Sequence, residues 1–244
     1  MLHFFRKIRR NLITNNKTSK YLKYAIGEII LVVLGILIAL YINEWNKTRL
    51  DIQFEKVILS GIQKDLQKEV NSLKNMNERT IERVSRISTL DSLLQGEMPV
   101  YHKSLDTLFG AVWGIHGWVM ENKAKYENLK SRGLNTIQED SIREQLIFIY
   151  ETVYPVFDRH IEIEWFQNEN ALLPYYLKHF SNLSFRQSAT PIDFESVWKD
   201  VQYHNIVSYR LIVLRANQGS FYPDALQEME KLQRMIDHYL NEEN

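Results

Sequence analysis

The stretch YAIGEIILVVLGILIALYINEWN, residues 24–46, decides how the rest of the chain is read. From Ala25 to Ile42 it runs 18 residues with one charge, Glu28, which meets the length criterion for a transmembrane helix. Tyr21 and Tyr24 precede it and Tyr41 and Trp45 follow it, and such rings favour the headgroup level. Tyr24 to Trp45 spans about 31 Å at a rise of ~1.5 Å per residue, against a hydrocarbon core of ~30 Å. A cleavable signal peptide would have a shorter apolar core and small residues at its exit. Here the exit is Ala39-Leu40-Tyr41-Ile42-Asn43-Glu44, so an uncleaved anchor is expected over residues 24–45.

The flanks set an orientation. Residues 1–23 carry Arg6, Lys7, Arg9, Arg10, Lys17, Lys20 and Lys23 and no acid, whereas Lys47, Arg49 and Lys56 are the nearest basic residues after the span. The positive-inside bias therefore puts a basic tail, 1–23, in the cytoplasm of a bacterium. Residues 46–244 then form a periplasmic domain on an inner-membrane anchor. No later apolar stretch is long enough to cross a bilayer, which makes a single-pass protein. Beyond the tail, 23 basic residues face 30 acidic ones, so nothing electrostatic favours nucleic acid. The chain has no cysteine, which excludes disulfides, thiolate metal sites and cysteine nucleophiles.

Glu28 lies about 6 Å inside Tyr24 at ~1.5 Å per residue. It can snorkel toward the inner headgroups near Lys20 or Lys23. It also sits beside a face of Gly27, Leu31, Gly35 and Ala39, small residues at helical spacing that let two anchors approach closely. Gly27, Glu28, Gly35 and Ala39 are thus the candidates for transmembrane association.

After Trp45 the apolar period continues through Leu50, Phe54, Ile58, Ile62, Leu66, Val70, Leu73, Met76, Thr80, Val84, Ile87, Leu90 and Leu94. Only nine glycines and five prolines occur in the whole chain. One long amphipathic helix to about Gln95 follows, with either a bundle or a coiled-coil dimer covering its stripe. Asn71, Asn75 and Asn77 make its middle polar. Leu105–Met120 starts as a short helix and loosens at Gly110, Gly114 and Gly117. Glu121–Gly133 reads as a helix stopped by Gly133. Ser141 and Glu144 form a capping-box pattern opening a helix that kinks at Pro155 and reaches about Leu172, before Pro174. Helices over Asp193–Asn205, Ile206–Gln218 and Pro223–Leu240, the last with Pro223 in its first turn, complete an all-α domain.

Signs of chemistry are few. There is no phosphate loop, nucleophile elbow or zinc-protease motif. In DRHIEIE, His160 and Glu164 share a helix face at the spacing of helical metal ligands, but a solvated charged face gives the same pattern. His116, between Trp113 and Trp118, is a candidate pocket or interface residue, as is Trp165 among the aromatics of Tyr150–Phe185. No catalytic residue, metal or cofactor is assigned.

YLKYAIGEIILVVLGILIALYINEWN, preceded by FFRKIRR and NKTSKYL, resembles the N-terminal signature of uncharacterised single-pass membrane proteins common in Bacteroidetes. YENLKSRGLNTIQEDSIREQLIFIYE and DFESVWKDVQYHNIVSYRL are similar to later blocks of that family. The resemblance implies a domain of unknown function and no catalytic residues. The expected function is a non-enzymatic, membrane-anchored helical domain. Its partners would be the lipid bilayer, copies of itself or another membrane or periplasmic protein. A sensory or small-ligand-binding domain is the alternative, and a metal-dependent enzyme the more distant one.

Overall fold

The computed structural model describes residues 18–242; residues 1–17 of the expected basic tail lie outside them. The described chain is all-α apart from one hairpin, and it divides into two compact units at the Glu55–Lys56 bond. Helix α1 spans Thr18–Leu94. Its apolar N-terminal part is long enough to cross a membrane, and none of the apolar window is buried inside the protein.

From Ile58 onward the stripe of α1 is the core's first wall. Ile58, Ile62, Leu66, Val70, Leu73, Thr80, Val84, Ile87, Leu90 and Leu94 are all buried within the chain's own fold. Each fully buried aliphatic side chain contributes roughly 1.5–3 kcal/mol of transfer free energy. That cover comes from one chain, so this part of the stripe is not the seam of a coiled coil between copies. Gly96 N–H bonds Leu93 O and ends the helix.

Two further helical stretches pack against α1. The first comprises α4 (Asp140–Phe148), α5 (Tyr154–Gln167) and α6 (Leu173–His179); the second comprises α8 (Val201–Ala216) and α9 (Tyr222–Glu242). Gln63 meets Asp237, Gln67 meets Gln233, Lys74 meets Glu230, Ser88 meets Arg215 and Asp91 meets Ser208, so the last stretch runs antiparallel to α1. Gln145–Glu228, His160–Asn217, Glu164–Arg210 and Gln167–Tyr209 make it antiparallel to the first stretch too.

The prolines behave differently from expectation. Pro174 does not end its helix, and Pro223, in the first turn of α9 as expected, follows without a break from the helix before it. Single π turns at Ile149–Val153, Asn168–Leu172 and Asn217–Phe221 each end two residues before a proline, Pro155, Pro174 and Pro223. The flanking residues keep right-handed helical dihedrals throughout. A proline removes one N–H and crowds the carbonyl four residues back, and a widened turn takes up that misfit without breaking the helix.

The returning connection carries α2 (Asp106–Val112), an irregular stretch over 113–123, and α3 (Ala124–Arg132), closed by Gly133 at φ 115°. The capping box is not used: α4 begins at Asp140, so Ser141 lies inside its first turn, where its Oγ donates to Glu139 Oε1 and does not act as the cap acceptor for a backbone N–H. After α6 the all-helical expectation misses a hairpin, β1 (Phe180–Ser184) with β2 (Ser188–Pro191), whose irregular register goes with left-handed Asn182 and Arg186. The hairpin lies on Gly110, where an added Cβ would stand 2.3 Å from the Ser188 backbone. Helix α7 (Phe194–Lys199) then stops short of the expected Asn205, because Asp200 turns extended and caps α8 by accepting from Gln202 N–H.

Candidate functional site

The most chemically unusual place in the molecule is where 113–123 passes through the interior without regular structure. A buried irregular backbone must find hydrogen-bond partners or leave costly orphan groups. Here charged side chains supply them. Arg83 Nε donates to Ala111 O at 2.6 Å, and its Nη2 faces Val112 O, Trp113 O and Gly114 O at 3.2, 2.8 and 3.1 Å. Arg210 Nη2 also donates to Gly114 O, at 2.8 Å. Glu164 Oε2 accepts the His116 N–H at 2.9 Å. Farther along, Glu69 Oε1 accepts the N–H groups of Glu121 and Asn122.

These charges pair among themselves. Arg210 Nη1 donates to Glu164 Oε1 at 2.7 Å, with both side chains out of solvent. Arg83 has its pKa lowered by burial and then by Arg210, while Glu164 acts in the opposite sense. Two guanidiniums thus share one carboxylate, and the surplus positive charge is balanced by the carbonyl dipoles of 111–114. His116 is held neutral: burial, then Arg83 and Arg210, push its pKa down to about 2. Thr80 Oγ donates to Met76 O, so the 2.7 Å contact between Thr80 Oγ and His116 Nε2 fits an imidazole protonated at Nε2. Nδ1 is then left without a partner. Arg83 Nη1, Arg210 Nε, Asn168 Oδ1 and the Tyr154 and Tyr222 hydroxyls are likewise buried and unbonded.

The residues singled out from sequence fall in different places. Trp113, His116 and Trp118 are buried on the crossing segment, while Trp165 stands 52% exposed on α5, so the four do not line one pocket. Trp118 Nε1 bonds Ser72 Oγ at 3.1 Å. Gly27, Glu28, Gly35 and Ala39 all lie on the apolar part of α1, and a Cβ at Gly27 or Gly35 would meet nothing within 4 Å. His160 and Glu164 do not form a solvated face. Glu164 points inward to Arg210, and His160 is half-buried against Asn217 Nδ2 at 3.2 Å, its pKa lowered by burial. Among the described residues no group of three or more His, Asp or Glu is arranged to hold a metal ion.

Sequence reasoning missed Arg83, Glu69 and Arg210. Arg210 carried a signal: it falls in the register of buried Val207, Leu211 and Leu214, where a charge needs a buried partner. Arg83 and Thr80 mark the same polar interruption on the α1 stripe.

No curated protein and no solved structure matches this chain. A family profile covers residues 28–167, from the apolar helix through the crossing segment to the end of α5, and so takes in Arg83, His116 and Glu164. That span is more than half of the chain, which belongs to the family of unknown function DUF6090.

Proposed function

We propose that this protein is a membrane-anchored, non-enzymatic helical domain that works through protein–protein contact, self-association above all. The anchor holds the bacterial inner membrane, the basic tail stays cytoplasmic and residues 46–244 face the periplasm. One observation carries the reading: the buried charges Glu69, Arg83, Glu164 and Arg210 are committed to the backbone of 111–122. Groups that would otherwise suggest catalysis hold a fold together. Functional contacts are then left to exposed surfaces and to the anchor, where Gly27, Gly35 and Ala39 permit close approach and Glu28 can bond across two copies. Cross-linking of the full chain in mild detergent tests this. Cross-linked dimers or higher forms that diminish in Gly35→Ile support it, and a monomer at every protein concentration contradicts it.

A second reading, an extracytoplasmic domain sensing a small polar ligand, is favoured by the unbonded Arg83 Nη1, Arg210 Nε and Tyr222 hydroxyl. Arg83 and Arg210 both act electrostatically on Tyr222, as does Glu164. A rise in melting temperature with millimolar phosphate or chloride, abolished in Tyr222→Phe, would favour it over the first.

A further inference from the structure

The outer face of the two later helical stretches carries a feature that the fold does not use. Ile163 and Phe166 on α5 are 46% and 67% exposed, and Tyr209 and Ile212 on α8 are 49% and 66% exposed. Gln167 Nε2 donates to Tyr209 OH at 2.8 Å, tying the two pairs into one patch across the helix–helix groove. The inward sides of the same turns are the Glu164–Arg210 pair, so the helices are held rigidly under the patch.

We infer that this patch is the contact between two copies of the chain, with α5 of one copy lying against α8 of its partner about a two-fold axis along the helices. The inference rests on the self-association proposed above and names its surface. Three observations lead to it. First, α5 and α8 already run antiparallel within the chain. A two-fold axis along them lays each α5 antiparallel on the partner's α8, the alternating arrangement of a four-helix bundle. Second, the exposed face of α8 beside the patch carries no charge. Residues 201–214 contain no Asp, Glu or Lys, and their one arginine, Arg210, is buried against Glu164. Covering that face with a second copy strands no charge of α8. Third, the area suits a tethered partner. Four such side chains present on the order of 400 Å² per copy, about half of the ~800 Å² per partner typical of stable soluble complexes. A freely diffusing partner would be held weakly, but a second copy confined to the same bilayer meets the patch at a high effective concentration. The occupant is therefore another copy of this chain.

The absence of cysteine makes the test clean. Two versions of the full chain, Ile163→Cys and Ile212→Cys, are co-expressed, extracted in native-lipid nanodiscs and treated with a short bis-maleimide. The mixed pair is expected to cross-link roughly five-fold more than either version alone, because only a facing α5–α8 contact brings the two positions together. Ile212→Glu, at an exposed position that leaves the fold intact, is expected to weaken self-association about ten-fold. Dimers that persist unchanged in Ile212→Glu, without cross-linking of the mixed pair, overturn this surface and leave self-association standing through another contact. A monomer in the nanodisc overturns both, and a mixed pair that cross-links only to a different protein overturns this surface.

Discussion

Arg210 Nη1 lies 2.7 Å from Glu164 Oε1, and the two side chains are each 1% exposed. Desolvating both charges costs several kcal/mol per ion, so the pair is tolerated because it does more than attract. Arg210 also holds Gly114 O, and Glu164 also holds the His116 N–H. The ion pair is thereby the junction between α5, α8 and the irregular crossing segment.

Breaking one side of the junction leaves a buried charge uncompensated. Glu164→Gln and Arg210→Met are each expected to destabilise the domain by about 3–5 kcal/mol. The double variant Glu164→Leu/Arg210→Met is expected to recover only part, because the His116 N–H loses its acceptor and Gly114 O keeps only its bond from Arg83. Denaturant unfolding of the detergent-solubilised chain, followed by tryptophan fluorescence, measures both. A double variant as stable as the parent would mean that the backbone bonds contribute nothing.

Arg83 serves four carbonyls through two of its nitrogens. Lysine keeps the charge but lacks the planar fork, so Arg83→Lys is expected to lose about 2–3 kcal/mol. Amide exchange over residues 111–118 is expected to accelerate in it before exchange in α9 does. Uniform acceleration would place Arg83's contribution in the whole core instead.

The histidines give a pH dependence with a defined sign. His116 is pushed down to about 2 by burial and by Arg83, Arg210, Arg186 and His160, and His160 is lowered by burial. The unfolded chain takes up protons near the ordinary value of 6.5 while the folded chain resists them. Their contribution is therefore complete above pH ~6.5 and is lost as pH falls toward His116's folded value, at up to about 1.4 kcal/mol per pH unit per histidine. Unfolding measured from pH 7 to 4.5 is expected to show this slope, reduced in His116→Gln. A slope identical in His116→Gln would exclude His116 as its source.

Gly110 is expected to accept no side chain. Its Cβ position is 2.3 Å from both the Ser188 N and Cα, which are backbone atoms that cannot rotate away. Gly110→Ala should displace the Phe180–Pro191 hairpin and cost about 1–3 kcal/mol. The Thr190–Asp106 bond of 2.6 Å, which pins that hairpin to α2, should be lost with it. Gly219, where a Cβ meets nothing within 4 Å, is the matched control.

The long helix was legible because its stripe obeys one period for over forty residues, and Ile58 to Leu94 are buried as that period requires. The π turns were not legible, since a proline inside an apolar period reads as a kink at Pro155, an end at Pro174 and a first turn at Pro223. Only the packing on both sides of Pro155, Pro174 and Pro223 makes a widened turn better than an end. The hairpin hid in FSNLSFRQSATP, too short and polar to show a strand period. Of the candidate site, His116 was visible as an oddity between tryptophans. Its partners Thr80 and Glu164 are 36 and 48 residues away in sequence, and no local pattern carries that information. Glu164 was read as solvated because i, i+4 spacing fits a surface pair as well as a buried one.

Native mass spectrometry of the full chain released from lipid nanodiscs tests the self-association claim most directly. The expected spectrum holds a species of two chains of 29.1 kDa each, reduced to one chain when Ile212→Glu and Gly35→Ile are combined. A single chain as the only species in the parent protein, across nanodisc loadings, would contradict it.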